Sequence, residues 1–162
     1  MKKTNGIYLL ILLMLFVAGF NAYGTFLIYK DPTGDVAGLE TGRLMMYTPL
    51  QSYTILGGLL AILGFVFPVF TAMCLISRPT SLKWPKSMNI YDSYLWTYAF
   101  SLYTAYIFLS ISALHVLFEE GHSLYPTIML ICCLVMIVIL NNPENQKYFI
   151  KKQKRSKSSS ME

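Results

Sequence analysis

The sequence predicts an all-α fold, an integral membrane antiparallel four-helix bundle, and three observations carry that reading. Of the 162 residues, 55% are hydrophobic and only 13% are charged, about half the charged share of an ordinary soluble domain. The apolar residues gather into four runs, about 7–29, 53–77, 90–118 and 124–140. Each is close to the roughly 20 residues that a hydrocarbon core of about 30 Å requires. The third observation is an asymmetry of charge between the connecting segments. Lys2, Lys3, Arg78, Lys83, Lys86, Lys147, Lys151, Lys152, Lys154, Arg155 and Lys157 fall on one side, and only Lys30 and Arg43 on the other. Short basic loops stay in the cytoplasm, so both termini are expected there. Asp31, Asp35, Glu40, Glu119 and Glu120 then lie on the outer side. Every backbone amide in lipid must be paired within its own segment, which makes runs of this length helices.

The first run, Ile7 to Tyr29, follows two lysines as a secretory signal would. It continues past Gly24 to Tyr29, longer than a signal core, with no clear small-x-small cleavage site followed by a soluble domain, so it is expected to remain as a helix. Asn21 and Thr25 form a polar pair four residues apart among Ala18, Gly19 and Ala22. An amide in lipid needs a partner, and Asn21 is expected to face the interior as interhelical glue. The helix ends at Asp31-Pro32-Thr33-Gly34, which fits a type I turn with an acceptor first, a fixed φ second and Gly fourth. The loop that follows, to about Leu50, is long for a bundle and is expected to pack on the protein or act as a lid. Leu44 to Tyr47 would form a short interfacial turn there.

In the second run Gly57, Ala61, Gly64 and Pro68 recur at i, i+4, i+7 and i+11 and share one helical stripe. Small residues let another backbone approach closely, which replaces the missing hydrophobic drive in lipid. These four are the expected helix interface, with Pro68 kinking the helix and freeing the Gly64 carbonyl.

The third run is the least lipid-like. Thr97, Ser101, Thr104, Phe108, Ile111 and His115 fall on one stripe, while Tyr94, Tyr98, Tyr103, Tyr106 and Ser110 put polarity on other faces. A helix of this kind sits centrally or lines a pocket. Asn21, Thr97, Ser101, Thr104, Phe108 and His115 are therefore the ligand-pocket candidates; the plainer alternative is that the hydroxyls bond their own i−4 carbonyls. At the outer end, His115, Glu119 and His122 at i, i+4 and i+7 have the residue types of a transition-metal site. Gly121 would break the helix before His122, and a solvated acidic rim is the ordinary reading.

The fourth run is the shortest. After the Asn-Pro turn, residues 143–162 are expected to form a basic, largely disordered cytoplasmic tail lying against anionic lipid, leaving 1–142 as the bundle. Cys74, Cys132 and Cys133 all lie inside apolar runs and read as small packing residues.

The Asp31-Pro32-Thr33-Gly34 turn, Gly38-Leu39, Thr48-Pro49 and the Gly57-Gly58-Leu59-Leu60 entry with Gly64 resemble a family of small four-span bacterial membrane proteins of uncharacterised function. The resemblance covers about residues 7–75. In that family a Pro-Gly pair usually opens the second span, where this chain has Leu56-Gly57. It implies a four-helix fold in the bacterial inner membrane and no activity.

No phosphate-cradling Gly loop and no intramembrane carboxylate pair occur in the sequence, so no catalytic residue and no cofactor is expected. The positive charge is distributed as topology demands, which excludes a nucleic-acid partner. The expected role is a non-enzymatic accessory or assembly subunit of a membrane complex or homo-oligomer, with membrane lipids or another apolar ligand beside the third helix. The alternatives are a small-molecule or metal-binding enzyme at the outer end of that helix, and an oligomeric channel or carrier lined by Thr97, Ser101 and Thr104.

Overall fold

The structure, a computed structural model, describes residues 3–37, 52–77, 84–91, 93–118 and 124–150, without the side chains of 84, 114–118, 124 and 125. Arg78, Lys83, the loop residues 38–51 with Leu44 to Tyr47, Glu119, Glu120, His122 and the segment 151–162 lie outside the described residues. Within them the chain is helical and contains no strand, only an isolated antiparallel bridge between Tyr94 and Ile150. We number the helices α1 (Asn5–Lys30), α2 (Thr54–Ser77), α3 (Trp84–Ser87), α4 (Trp96–Phe118), α5 (Leu124–Asn141) and α6 (Pro143–Phe149). α1 and α2 are each long and apolar enough to cross a membrane. A third crossing is added if α5 from Pro126 and α6, bent by 76° where they meet, count as one. The chain is thus an all-α membrane protein.

α1 begins and ends where its sequence supplies partners for the free backbone groups. Thr4 caps α1, its hydroxyl accepting from the Ile7 N–H, because the first amides of a helix have no carbonyl behind them. Asp31 ends α1 in extended backbone, the conformation a following proline imposes. Its Oδ1 accepts from the Thr33 N–H at 3.1 Å and the Thr33 hydroxyl at 2.6 Å, and its Oδ2 from the Val36 N–H at 3.0 Å. The Gly34 N–H closes the turn onto the Asp31 carbonyl with Gly34 at φ 91°, a left-handed backbone that glycine adopts without strain. Across the loop, the Tyr53 N–H donates to the Pro32 carbonyl at 3.0 Å and holds the start of α2 beside the end of α1.

α2 is not a uniform α-helix. Residues Leu60–Val66 form a π-helical segment, in which the Phe67 N–H reaches back five residues to the Ile62 carbonyl. Pro68 has no N–H for the Gly64 carbonyl, and its ring would collide with that carbonyl in a regular turn. Widening the preceding turns relieves the collision, so the break expected from Pro68 takes the form of a wide segment.

α4 begins at Trp96, six residues later than the run from Ile90 suggested. The Asn89 amide donates to the Tyr91 and Tyr94 carbonyls at 3.0 and 2.9 Å, and its Oδ1 accepts from the Tyr91 N–H. These bonds hold the backbone in a loop and compete with helix. The Leu95 N–H donates to the Phe149 carbonyl at 2.7 Å instead of to a helical partner.

Residues Pro143–Phe149 form a short helix. Asn142 caps α6 by accepting from the Glu144 N–H, and Pro143 occupies the first turn, where its missing N–H costs nothing. Asn145, Tyr148 and Phe149 are buried, and the charges that suggested a solvated tail are confined to the other faces of a short amphipathic helix.

α1 packs on α2 and α5, and α4 packs on the same two helices. Their shared core runs through Leu10, Met14, Val17, Leu75, Leu102, Phe108, Met129 and Met136. A second cluster, Cys74, Trp96 and Phe100 with Phe67, Phe70 and Tyr103, fills the α2–α4 contact. Lys3 donates to the Ile76 carbonyl at 3.2 Å, so the start of α1 and the end of α2 share an end of the molecule. Lys147 lies on α6 beside Tyr148, whose hydroxyl reaches Leu75 at that same end. Asp31 and Asp35 lie at the opposite end.

Candidate functional site

The α1–α2 seam is built from stripes that face each other. Asn21, Thr25 and Ile28 are all buried on one side of α1. A Cβ placed on Gly64 would come 2.9 Å from Asn21 Cβ, and one on Gly57 2.8 Å from Ile28 Cγ2. Both glycines therefore turn toward α1, and backbone and side chain meet there at a distance no larger residue permits. Pro68 is buried and Ala61 half-buried on the same helix. Asn21, fully buried, donates through Nδ2 to the Val17 carbonyl of its own helix at 2.7 Å. Thr25 Oγ1 is the one buried side-chain oxygen or nitrogen among the described residues that has no hydrogen-bond partner.

The polar stripe of α4 lies on its buried side. Thr97, Ser101, Thr104 and Phe108 are all buried. The Ser101 hydroxyl donates to the Thr97 carbonyl at 2.7 Å and that of Thr104 to the Phe100 carbonyl at 2.9 Å. On α2 the Thr71 hydroxyl does the same with the Phe67 carbonyl. These groups spend their donors on their own helices, as hydroxyls in an apolar interior do. Their contribution is small size and satisfied polarity at a helix contact. Asn21 lies apart from them, in the α1–α2 seam. His115 belongs to α4, but its side chain and those of Glu119 and His122 lie outside the described ones. Among the described residues no three His, Cys, Asp or Glu side chains gather as a metal site would need. Cys74, Cys132 and Cys133 are free thiols. Cys74 packs in the Trp96 cluster, and Cys133 is buried in the main core.

A constellation that sequence reasoning missed lies at the basic end. α6 is bonded to the cap of α1, to α2, to α5 and to the loop that precedes α4. The Thr4 hydroxyl donates to Asn145 Oδ1 at 2.5 Å, and Asn145 Nδ2 donates to the Ile139 carbonyl at 2.9 Å. Tyr148 donates to the Leu75 carbonyl at 2.7 Å, and Tyr94 to Gln146 Oε1 at 3.3 Å. Gly6 lies so close to the Asn145 amide that any Cβ there would overlap it. Around these bonds the rings of Tyr91, Tyr94, Tyr98 and Phe149 contact one another, with Tyr94 and Tyr98 stacked at 4.7 Å. The signal was present as Asn142-Pro143, a cap followed by a first-turn proline, ahead of the apolar Tyr148-Phe149.

Among the described residues one titratable group outside the helices is shifted. The carboxyl of Asp31 is held below its ordinary value, chiefly by the Thr33 hydroxyl and then by the Val36 N–H, both of which favour the charged form.

Comparison with family models, characterised proteins and solved structures finds no match to this chain.

Proposed function

We propose that this chain is a four-span protein of the bacterial inner membrane with both termini in the cytoplasm, acting as a non-enzymatic accessory or assembly subunit of a larger membrane complex. The four crossings are α1, α2, α4 and α5, of which α1 and α2 are each long and apolar enough on their own. The orientation is supported by Lys3, Lys86 and Lys147 at the basic end and by Asp31 and Asp35 at the opposite one. This is the positive-inside arrangement carried into three dimensions.

The observation that carries the functional reading is the use made of the buried polar groups. Asn21, Thr71, Ser101 and Thr104 bond carbonyls one turn back on their own helices, and the glycines are filled by neighbouring side chains. An interior so occupied serves assembly, and its outward face meets lipids and partner proteins. Extraction of the tagged full chain in a mild detergent tests this. The expected result is a stoichiometric complex larger than the chain alone, whereas a stable, clean monomer would refute the role. Reporter fusions at the two ends test the topology separately, and reporters active in different compartments would overturn it.

A further inference from the structure

At the basic end the side chain of Lys3 is held from two sides. Its Nζ donates to the Ile76 carbonyl at 3.2 Å and lies over the Tyr8 ring, 5.8 Å from the centroid, a distance at which an ammonium and an aromatic face attract. The carbonyl is one of those that the last turn of a helix leaves without a donor. An ammonium carries three donors, so ring and carbonyl together leave at least one unused. No described carboxylate pairs with it. Glu144, the described acid of this end, has Lys147 three residues along α6. α1 is 26 residues long, about 39 Å of rise against a hydrocarbon core of about 30 Å, so its ends reach headgroup level. Tyr8, Leu12, Met73 and Ile76 are exposed. Leu12 lies one turn deeper than Tyr8 on α1, and Met73 one turn deeper than Ile76 on α2. The fixed charge thus stands at the head of two apolar stripes that hydrocarbon must cover.

We propose that this edge of α1 and α2 seats an anionic glycerophospholipid, with its phosphodiester on Lys3 and an acyl chain along Leu12 and Met73. The argument is one of charge complementarity. A phosphodiester oxygen accepts from the ammonium donor left over and neutralises a charge that the described carboxylates do not. Basic groups between helices at a membrane face select such headgroups. A zwitterionic lipid gains less, because the Tyr8 face that would receive its own cation is already taken by Lys3, and the two cations repel. The inference reaches beyond the assembly role and needs only that α1 and α2 lie in the bilayer. It depends on neither the number of crossings nor their orientation.

The test uses the full chain in lipid discs made from equal parts of phosphatidylglycerol and phosphatidylcholine, released gently for native mass spectrometry. The wild-type chain is expected to retain phosphatidylglycerol in about fivefold excess over phosphatidylcholine. Lys3→Gln, which keeps a donor for the Ile76 carbonyl but no charge, is expected to bring that ratio near one. Lys3→Arg is expected to preserve most of it, and Tyr8→Leu, at an exposed position, to lower it by about half. Lys86→Gln removes an exposed charge from the same end and is expected to change nothing. A phosphatidylglycerol bearing a diazirine on its acyl chain is expected to label the peptides that contain Leu12 and Met73. No preference in the wild-type chain, or a preference that survives Lys3→Gln, overturns the site. So does an equal loss in Lys86→Gln, which would assign the preference to the summed charge of that end. Tyr8→Leu and the labelled peptides decide the matter even where Lys3→Gln lowers the thermal midpoint, since labelling confined to other peptides also overturns the site.

Discussion

Between α1 and α2 the contact is made by glycines set against Ile28 and Asn21, while at the basic end it is made by tyrosine rings and hydrogen bonds between residues far apart in sequence. The seam runs through the span, where there is no water to drive apolar surfaces together, so attraction comes from the closeness of backbones. The basic end sits where the helices stop. Carbonyls such as that of Leu75 have run out of intrahelical donors there, and Tyr148 supplies one. Close approach tolerates no added volume, whereas a hydrogen-bonded end tolerates changes that keep its shape. The two regions should therefore respond to different substitutions.

The largest effect is expected from volume in the seam. Gly64→Leu drives a side chain into Asn21 Cβ, an atom fixed to the α1 backbone, and should cost about 3 kcal/mol. Thermal unfolding in detergent would then show a large fall in midpoint or no folded protein; a near wild-type midpoint would mean that the seam is looser than the glycines indicate. At the basic end, Tyr148→Phe keeps the ring and removes only the bond to the Leu75 carbonyl, with an expected loss of about 1 kcal/mol. If this variant proved as damaging as Gly64→Leu, the distinction between the regions would fail. A gain is expected at one seam position. Thr25→Val keeps the shape and deletes the buried hydroxyl that has no partner, which should stabilise by about 1 kcal/mol. A destabilised Val variant would show that the hydroxyl is used.

The smallest effect belongs to Asp31, outside both regions. Its folded-state pKa is lowered from 3.8 by the Thr33 hydroxyl and the Val36 amide. The stabilisation is therefore complete above the unfolded value and is lost as pH falls through the lower folded value. Unfolding midpoints between pH 7 and pH 3 should fall more steeply for wild type than for Asp31→Asn below about pH 4, and parallel curves would show that the turn does not depend on the charge.

The ends of α1, α2 and α5 lie within a residue or two of their apolar runs because those runs are continuous and unbroken by loop-forming residues. The start of α4 was misplaced because apolarity does not show that Asn89 ties down the backbone of Tyr91 and Tyr94. α6 was hidden by its composition, since Glu144, Gln146 and Lys147 read as solvated while Tyr148 and Phe149 decide its position. Gly57 and Gly64 share a stripe by their spacing, and a Cβ on either would meet α1 at Ile28 or Asn21. Two features of the seam were beyond reach. Pro68 announces a disturbance but not its form, and a sequence does not record which hydroxyl is left unmatched once the helices close.

The wide segment Leu60–Val66 also bears on how this helix tolerates a change in length. Deleting one residue from a regular α-helix rotates everything beyond it by about 100°, which would turn the Thr71, Ala72 and Leu75 surface out of the core. Within a stretch whose bonds already span five residues, losing one lets the ladder tighten to the ordinary span. Removal of the lipid-facing Ile62 is thus absorbed by the slack, and both ends of the helix keep their bearing.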